Sequence, residues 1–459
     1  MIRHCHPAPA GIAIAMISLG LACAANDSLP ARDSAGLVAT GRAMLRSGRV
    51  DEARRLIERA MDAGADDALW CLAGEVQFRN GDFAAANQAF RAALDRNARN
   101  ARAWWGLGRI EQIHFRPEAA RDFFAKAFGL DWRDNDIVLS YLDFVSKPAD
   151  RRRLLQNVVA LSRTTMPERA ELAQGRLDLE DRLAGRQPAA LDSDYKTYRI
   201  PLRGFRPVGS DRHGMTITAR INGKRSLKLV LDTGARGILL LRHASRDLGM
   251  ERLASSQLAG FGGAGAAESA LSIADSVAFG ELRFRDCPVE VSGVLLPEGI
   301  DGILGANLFE RFRLRIDAGA QILELTPGEP ESARDAKAIG LKGLLLVPGQ
   351  IAEGREGWFL LDTGAAFTAI APGLTPPAAP RSGAVSLAGV QGATAALRGS
   401  PMAFLAAGRP LSEPQPLVFD LETISQREGV KISGLLGYPT LSRWPITIDY
   451  RTGLVRIGD

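Results

Sequence analysis

Leu229-Val230-Leu231-Asp232-Thr233-Gly234-Ala235 decides how this chain is read, because it returns as Phe359-Leu360-Leu361-Asp362-Thr363-Gly364-Ala365. Each copy is an apolar run that enters an Asp-Thr-Gly triplet. A buried strand ending on a carboxylate, a hydroxyl and a glycine delivers one acid to a turn that another backbone can approach closely. One such triplet is a common loop cap; two need a shared explanation. Further out, Asp301-Gly302-Ile303-Leu304-Gly305 returns as Ser433-Gly434-Leu435-Leu436-Gly437, and between these points Leu258-Ala259-Gly260 returns as Leu387-Ala388-Gly389. Each copy closes on an acid before a turn, Arg315-Ile316-Asp317 and Thr447-Ile448-Asp449. Ordered matches in register predict a duplicated domain.

The surrounding sequence has β texture. Thr216 to Ala219, Leu227 to Leu231, Val277 to Phe279, Val289 to Val291 and Ile322 to Leu325 are strand-like, and Asn222-Gly223 is a hairpin signal. The expectation is two all-β lobes, residues 197–330 and 338–459. Asp301, Asp317 and Asp449 are read as structural turn acids.

The residues and their order resemble the aspartic peptidases of the retropepsin and pepsin type, over about residues 200 to 459. The resemblance implies that Asp232 and Asp362 are a catalytic pair. It makes Thr233, Gly234, Thr363 and Gly364 supporting residues, the threonines tying the two turns together through their hydroxyls. Ile303-Leu304-Gly305 and Leu435-Leu436-Gly437 would pack beneath the turns. The stretch containing Gly260, Gly262 and Gly263 falls where the family has a mobile flap over substrate. Gly389 and Gly392 mark its counterpart, for which an ordinary hairpin turn is the alternative. Two carboxylates sharing one water cannot both ionise freely, so one serves as acid and the other as base. No cofactor and no metal are expected. The departure from the family is Arg236, a cation close to the first Asp.

Ahead of the lobes, from Leu37 to about Gly185, apolar residues recur at helical spacing. Gly74, Ala86, Phe90 and Ala93 recur about 34 residues later as Gly108, Ala120, Phe124 and Ala127, and are preceded by Gly41, Ala53, Ile57 and Ala60. This pattern resembles the tetratricopeptide repeat, and an all-α domain is expected over 35–185. Such repeats present a face for a peptide or partner; a helical spacer is the alternative. Arg186-Gln187-Pro188-Ala189-Ala190 opens an expected linker, 186–196.

The charge balance, 57 basic against 52 acidic residues, is dispersed, and nucleic-acid binding is not indicated. Arg151, Arg152 and Arg153 are read as a solvated helix face. Residues 1–24 resemble a secretory signal, with Arg3 ahead of an apolar run from Gly11 to Ala22, too short to span a membrane. Ala22 and Ala24 suit cleavage to a soluble exported product, periplasmic or secreted; lipid modification at Cys23 is the less favoured alternative. No transmembrane span is expected in the mature chain. Cys71 and Cys287 fall in different domains and the histidines are scattered, so neither a disulfide framework nor a metal site is expected. The functional expectation is an exported aspartic endopeptidase acting on peptide or protein substrates, with the repeats recruiting substrate or a partner. The alternative, motivated by Arg236, is a peptide-binding scaffold without turnover. One chain supplies both halves, so a monomer suffices; a swapped dimer stays open.

Overall fold

Nine helices among the described residues fill the N-terminal part: α1 (Ser34–Arg46), α2 (Val50–Asp62), α3 (Asp67–Asn80), α4 (Phe83–Arg96), α5 (Ala101–Ile113), α6 (Pro117–Leu130), α7 (Asn135–Leu142), α8 (Pro148–Ser162) and α9 (Pro167–Leu183). The computed structural model describes residues 34–62, 64–164, 166–205, 214–258, 267–328, 334–351, 354–375, 382–389 and 392–459. The signal-like residues 1–24 and the flap glycines Gly260, Gly262 and Gly263 lie outside the described residues. The helix starts are set locally. Asp66, Asp82, Asn100 and Asp134 accept from backbone N–H groups in the first turns of α3, α4, α5 and α7, while Pro117, Pro148 and Pro167 open α6, α8 and α9.

The repeat spacing has a packing cause. A Cβ on Gly74 would come within 2.6 Å of the Phe90 ring, and one on Gly108 within 2.6 Å of the Phe124 ring. Only glycine lets the paired helices close on those phenyl groups, which are fully buried. The arginine cluster is paired with acids: Arg151 binds Glu180 through two nitrogens at 2.7 and 2.8 Å, and Arg152 and Arg153 meet Asp181 and Asp150 at 2.8 and 3.1 Å.

The remainder is β-rich. In the first lobe, strands Gly214–Ile221 and Arg225–Asp232 form the hairpin, with Asn222 and Gly223 both at positive φ, 52° and 65°. Strand Arg225–Asp232 then pairs in parallel with Gly302–Gly305, placing Asp232 opposite Gly305. The second lobe repeats this pairing between Glu356–Leu361 and Gly434–Leu436. The lobes are stitched together by a shared sheet. Arg313–Asp317 pairs antiparallel with Ile446–Asp449, bringing Arg315 opposite Thr447, and the neighbouring strands Ile322–Thr326, Tyr198–Phe205 and Leu454–Ile457 extend it. Asp317 and Asp449 accept from the N–H groups of Ala320 and Arg451, as turn acids do.

The segment expected as a linker, 186–196, makes contacts of its own with the first lobe. Ala190–Leu191 pairs with the strand Leu282–Ser292, Ala189 N–H donates to Asp286 O at 2.9 Å, and Arg186 pairs with Asp286. Its Pro-Ala composition hid the ion pair that fastens it. The helices also pack directly on the second lobe. One apolar cluster joins Cys71, Phe78, Phe83, Ile110 and Ile113 to Ile339, Leu341, Leu360, Val430 and Leu435. Trp358 donates its indole N–H to Gly81 O at 3.0 Å. Phe115, held at φ 58°, sits where the earlier repeats have Gly48 and Gly81, and its ring lies against Gly340 and Gly453. The left-handed backbone is unfavourable for a phenylalanine, and it aims the ring into the peptidase-like part.

Candidate active site

Asp232 ends its strand, and Asp362 directly follows Leu361, the last residue of the equivalent strand. The turns that follow face each other across the lobe boundary. The threonines lock them reciprocally. Thr233 Oγ1 donates to Leu361 O at 2.9 Å and accepts from Thr363 N–H at 3.0 Å; Thr363 Oγ1 donates to Leu231 O at 2.9 Å and accepts from Thr233 N–H at 3.0 Å. Both threonines are buried.

The glycines have a steric role. A Cβ on Gly234 would collide with the Asp362 carboxyl, and one on Gly364 with the Asp232 carboxyl. Each turn also feeds its own acid: Gly234 N–H donates to Asp232 Oδ1 at 2.7 Å, and Ala365 N–H to Asp362 Oδ1 at 2.8 Å. The carboxyls stand within hydrogen-bonding reach of one another. Each keeps intermediate exposure while protein surrounds its other sides. Burial pushes both above the usual carboxylate range, Asp362 farther because it also faces the Asp232 charge, whereas Gly234 N–H holds Asp232 back. The pair therefore keeps one proton at a pH where a lone exposed carboxyl would have lost it.

The apolar-apolar-Gly segments lie beneath the turns. A side chain on Gly305 would come within 2.7 Å of Ala235 O, and one on Gly437 would collide with Phe367 O. Two supports escape a reading of the duplicated motifs. Asn307 Oδ1 accepts from Gly237 N–H at 2.9 Å and steadies the first turn. In the second lobe that place is Pro439, and a buried chain substitutes: Gly437 N–H donates to Thr368 Oγ1 at 3.0 Å, Thr368 meets Thr440 at 2.6 Å, and Thr440 donates to Glu413 at 2.6 Å. The asparagine stands two residues beyond the repeated glycine, where the internal match has already ended.

Arg236 does not pair with either acid. Its guanidinium donates to Lys342 O at 2.6 Å and Leu341 O at 3.0 Å and pairs with Glu428, all in the second lobe. Gly389 and Gly392 face each other at the tip of the hairpin Ser382–Gly389 and Gly392–Arg398. In the first lobe, Ala254–Leu258 and Ala267–Phe279 pair up to Leu258 opposite Ala267, the residues nearest the undescribed flap glycines. Helix α9 lies beside this hairpin, with Gly175 3.8 Å from Ser255 O as a Cβ would sit. Among the described residues, no group of three or more His, Cys, Asp or Glu is arranged to hold a metal ion, and no helix is long and apolar enough to cross a membrane.

These features can be set beside known proteins. The family model described as aspartyl protease matches residues 217–308, which include Asp232 and Gly305. The tetratricopeptide repeat model matches residues 71–135. Among curated proteins none matches the chain. The crystal structure of a retropepsin-like aspartic protease from Rickettsia conorii is similar at 24% identity, over 29% of this chain and 93% of that chain, with a TM-score of 0.21. Residues 217–308 thus match an aspartyl protease domain, and residues 71–135 ahead of them match tetratricopeptide repeats.

Proposed function

We propose that the protein is an aspartic endopeptidase whose catalytic acids are Asp232 and Asp362. One observation carries this reading: two carboxyls on duplicated turns, each fed by its own backbone N–H, stand within hydrogen-bonding reach of each other. In the proposed reaction Asp232 is the ionised member and takes a proton from an attacking water. Asp362 is protonated and donates to the scissile carbonyl oxygen as the tetrahedral intermediate forms. An extended peptide lies between the lobes under the two hairpins and pairs through its main chain. The contacts of Arg236 favour turnover over a scaffold without it, because its cation is matched by Glu428 rather than aimed at the dyad. We also propose export, on the signal-like N-terminus.

The test is cleavage of a mixed peptide library by the full chain from acidic to neutral pH. Turnover abolished by Asp232→Asn, by Asp362→Asn and by a transition-state-like aspartic peptidase inhibitor is the expected result. Folded protein that cleaves nothing at any pH, or an Asn variant that still cleaves, removes the dyad. Fractionation of expressing cells, with the mature N-terminus sequenced, tests export.

A further inference from the structure

Arg236 occupies a position the duplication leaves unmatched, since its counterpart in the second turn is Ala366. Its planar guanidinium spans three acceptors at once, the carbonyls of Leu341 and Lys342 and the Glu428 carboxylate. A lysine ammonium cannot reach three acceptors so arranged. Glu428 is nearly inaccessible, its side chain 3% exposed, and also meets Arg427 at 2.7 Å. Lys342, which offers one of the carbonyls, holds a positive φ of 51°. The next residue, Gly343, has its backbone against Asn307, the residue that steadies the first turn at Gly237. Leu341 and Lys342 of the second lobe therefore hold Arg236, while Gly343 lies beside Asn307, which steadies the same turn.

Glu428 ends the short helix Glu422–Glu428, and that segment is held by the repeats. Gln426 Nε2 donates to Arg46 O at 2.8 Å, Arg79 Nη1 donates to Gln426 O at 3.0 Å, and Lys431 N–H donates to Arg79 O at 2.7 Å. Arg79 lies on α3, and Arg109 of α5 approaches the same place, 3.6 Å from where a Cβ on Gly429 would stand. The second lobe of this chain thus docks on the helical domain at α3 and α5. Polar contacts tie α3 to Gln426 and, two residues on in the same segment, Glu428 to Arg236, which stands four residues after Asp232.

We infer that the helical repeats act in cis as a brace, holding the Asp232 turn in register through Arg79, the Glu422–Glu428 segment and the positioning pair Glu428 and Arg236. The inference deepens the peptidase reading and rests on it only for its effect on turnover. The charge around Glu428 is shared among Arg236, Arg427 and Lys342, so no single cation neutralises it. Arg236 is distinctive in being the one of the three that belongs to the first lobe.

The test uses the full chain and two readouts. Hydrogen exchange, resolved by mass spectrometry, is followed in the peptides covering 229–241 and 359–367 for wild type, Glu428→Gln, Arg236→Lys and Arg79→Met. Contacting residues couple strongly enough that exchange in 229–241 is expected to rise about tenfold in all three variants, with 359–367 changed much less. Unchanged exchange in 229–241 for Glu428→Gln or for Arg79→Met, in folded protein, overturns the brace. With a library-derived peptide as substrate, the same variants should lower kcat about tenfold with little change in KM, Arg236→Lys least. An equal rise in KM, with kcat kept, also overturns the positioning role. Faster exchange in the variants, with a wild type that cleaves no peptide, would leave the brace standing and the peptidase reading refuted, so the two failures are separable.

Discussion

Thr233→Val removes one oxygen and keeps the shape of the side chain, so its effect isolates the hydrogen bonds that hold the lobes in register. Thr233 Oγ1 serves two groups of the opposite lobe, the Leu361 carbonyl at 2.9 Å and the Thr363 N–H at 3.0 Å. Thr233 is 1% exposed, so water cannot take over either role without opening the interface. Each buried polar group left without a partner costs about 1–3 kcal/mol, and the added methyl returns part of that through apolar burial. The net expectation is a loss of about 2–4 kcal/mol. In a unit of this size each kcal/mol moves Tm by about 2–4 °C, so calorimetry should show the transition of the lobes falling by roughly 5–15 °C. Thr363→Val removes the mirror-image bonds at the same distances and should cost the same. Thr233→Ser keeps the hydroxyl and should lose about 1 kcal/mol, the worth of one buried methyl. A valine variant that melts within about 0.5 kcal/mol of wild type, or no worse than the serine variant, would show that these bonds do not hold the lobes together.

Asp232→Asn and Asp362→Asn should each lower turnover at least about a thousandfold, since each removes one member of an acid-base pair; steady-state cleavage of a library-derived peptide checks this. Stability should move the other way for Asp362→Asn. A carboxyl whose folded pKa is raised binds its proton more tightly in the folded state, so it favours folding at low pH and that contribution is lost as pH rises through the raised pKa. Urea unfolding at several pH values should therefore show the variant gaining on wild type from acidic to neutral pH, and a gap independent of pH would contradict the assigned shift. Phe115→Ala should cost about 2 kcal/mol as the half-buried ring leaves Gly340 and Gly453. Phe115→Gly should recover about 1 kcal/mol of that by relieving the positive φ, and a glycine variant less stable than alanine in urea unfolding would refute the strain.

How much of this was legible in sequence follows the range of the interactions. The strands entering each Asp-Thr-Gly turn could be read because their apolar runs are local and occur twice, and the glycines of the repeats because helix crossing forces the same spacing each time. The threonine bonds, between residues 130 positions apart, came through the family resemblance rather than through the residues themselves. Asn307 and the Thr368-Thr440-Glu413 chain carried no signal, because the two lobes solve the same problem with different side chains and duplication shows only what they share. Arg236 was visible as a departure but not interpretable. Its partner Glu428 lies 192 positions away in a segment with no counterpart motif.

That asymmetry bears on why the helices and lobes share a chain. A site built from two identical halves needs no external support, because symmetry alone places the turns opposite each other. Here the halves have diverged, and the second lobe has lost the asparagine that steadies the first. It has also placed Ile339, Leu341, Val430 and Leu435 in one cluster with Phe78, Phe83, Ile110 and Ile113 of the helices. Cutting the chain in the 186–196 segment would expose that apolar surface, and a patch of several large aliphatic residues on a free lobe promotes association rather than a stable monomer. The lobes expressed alone, from residue 187 onward, should thus aggregate or bind the separately supplied helical domain. A monomeric, cooperatively folding lobe pair would mean that the helices are an appendage and that the second lobe closes its core without them.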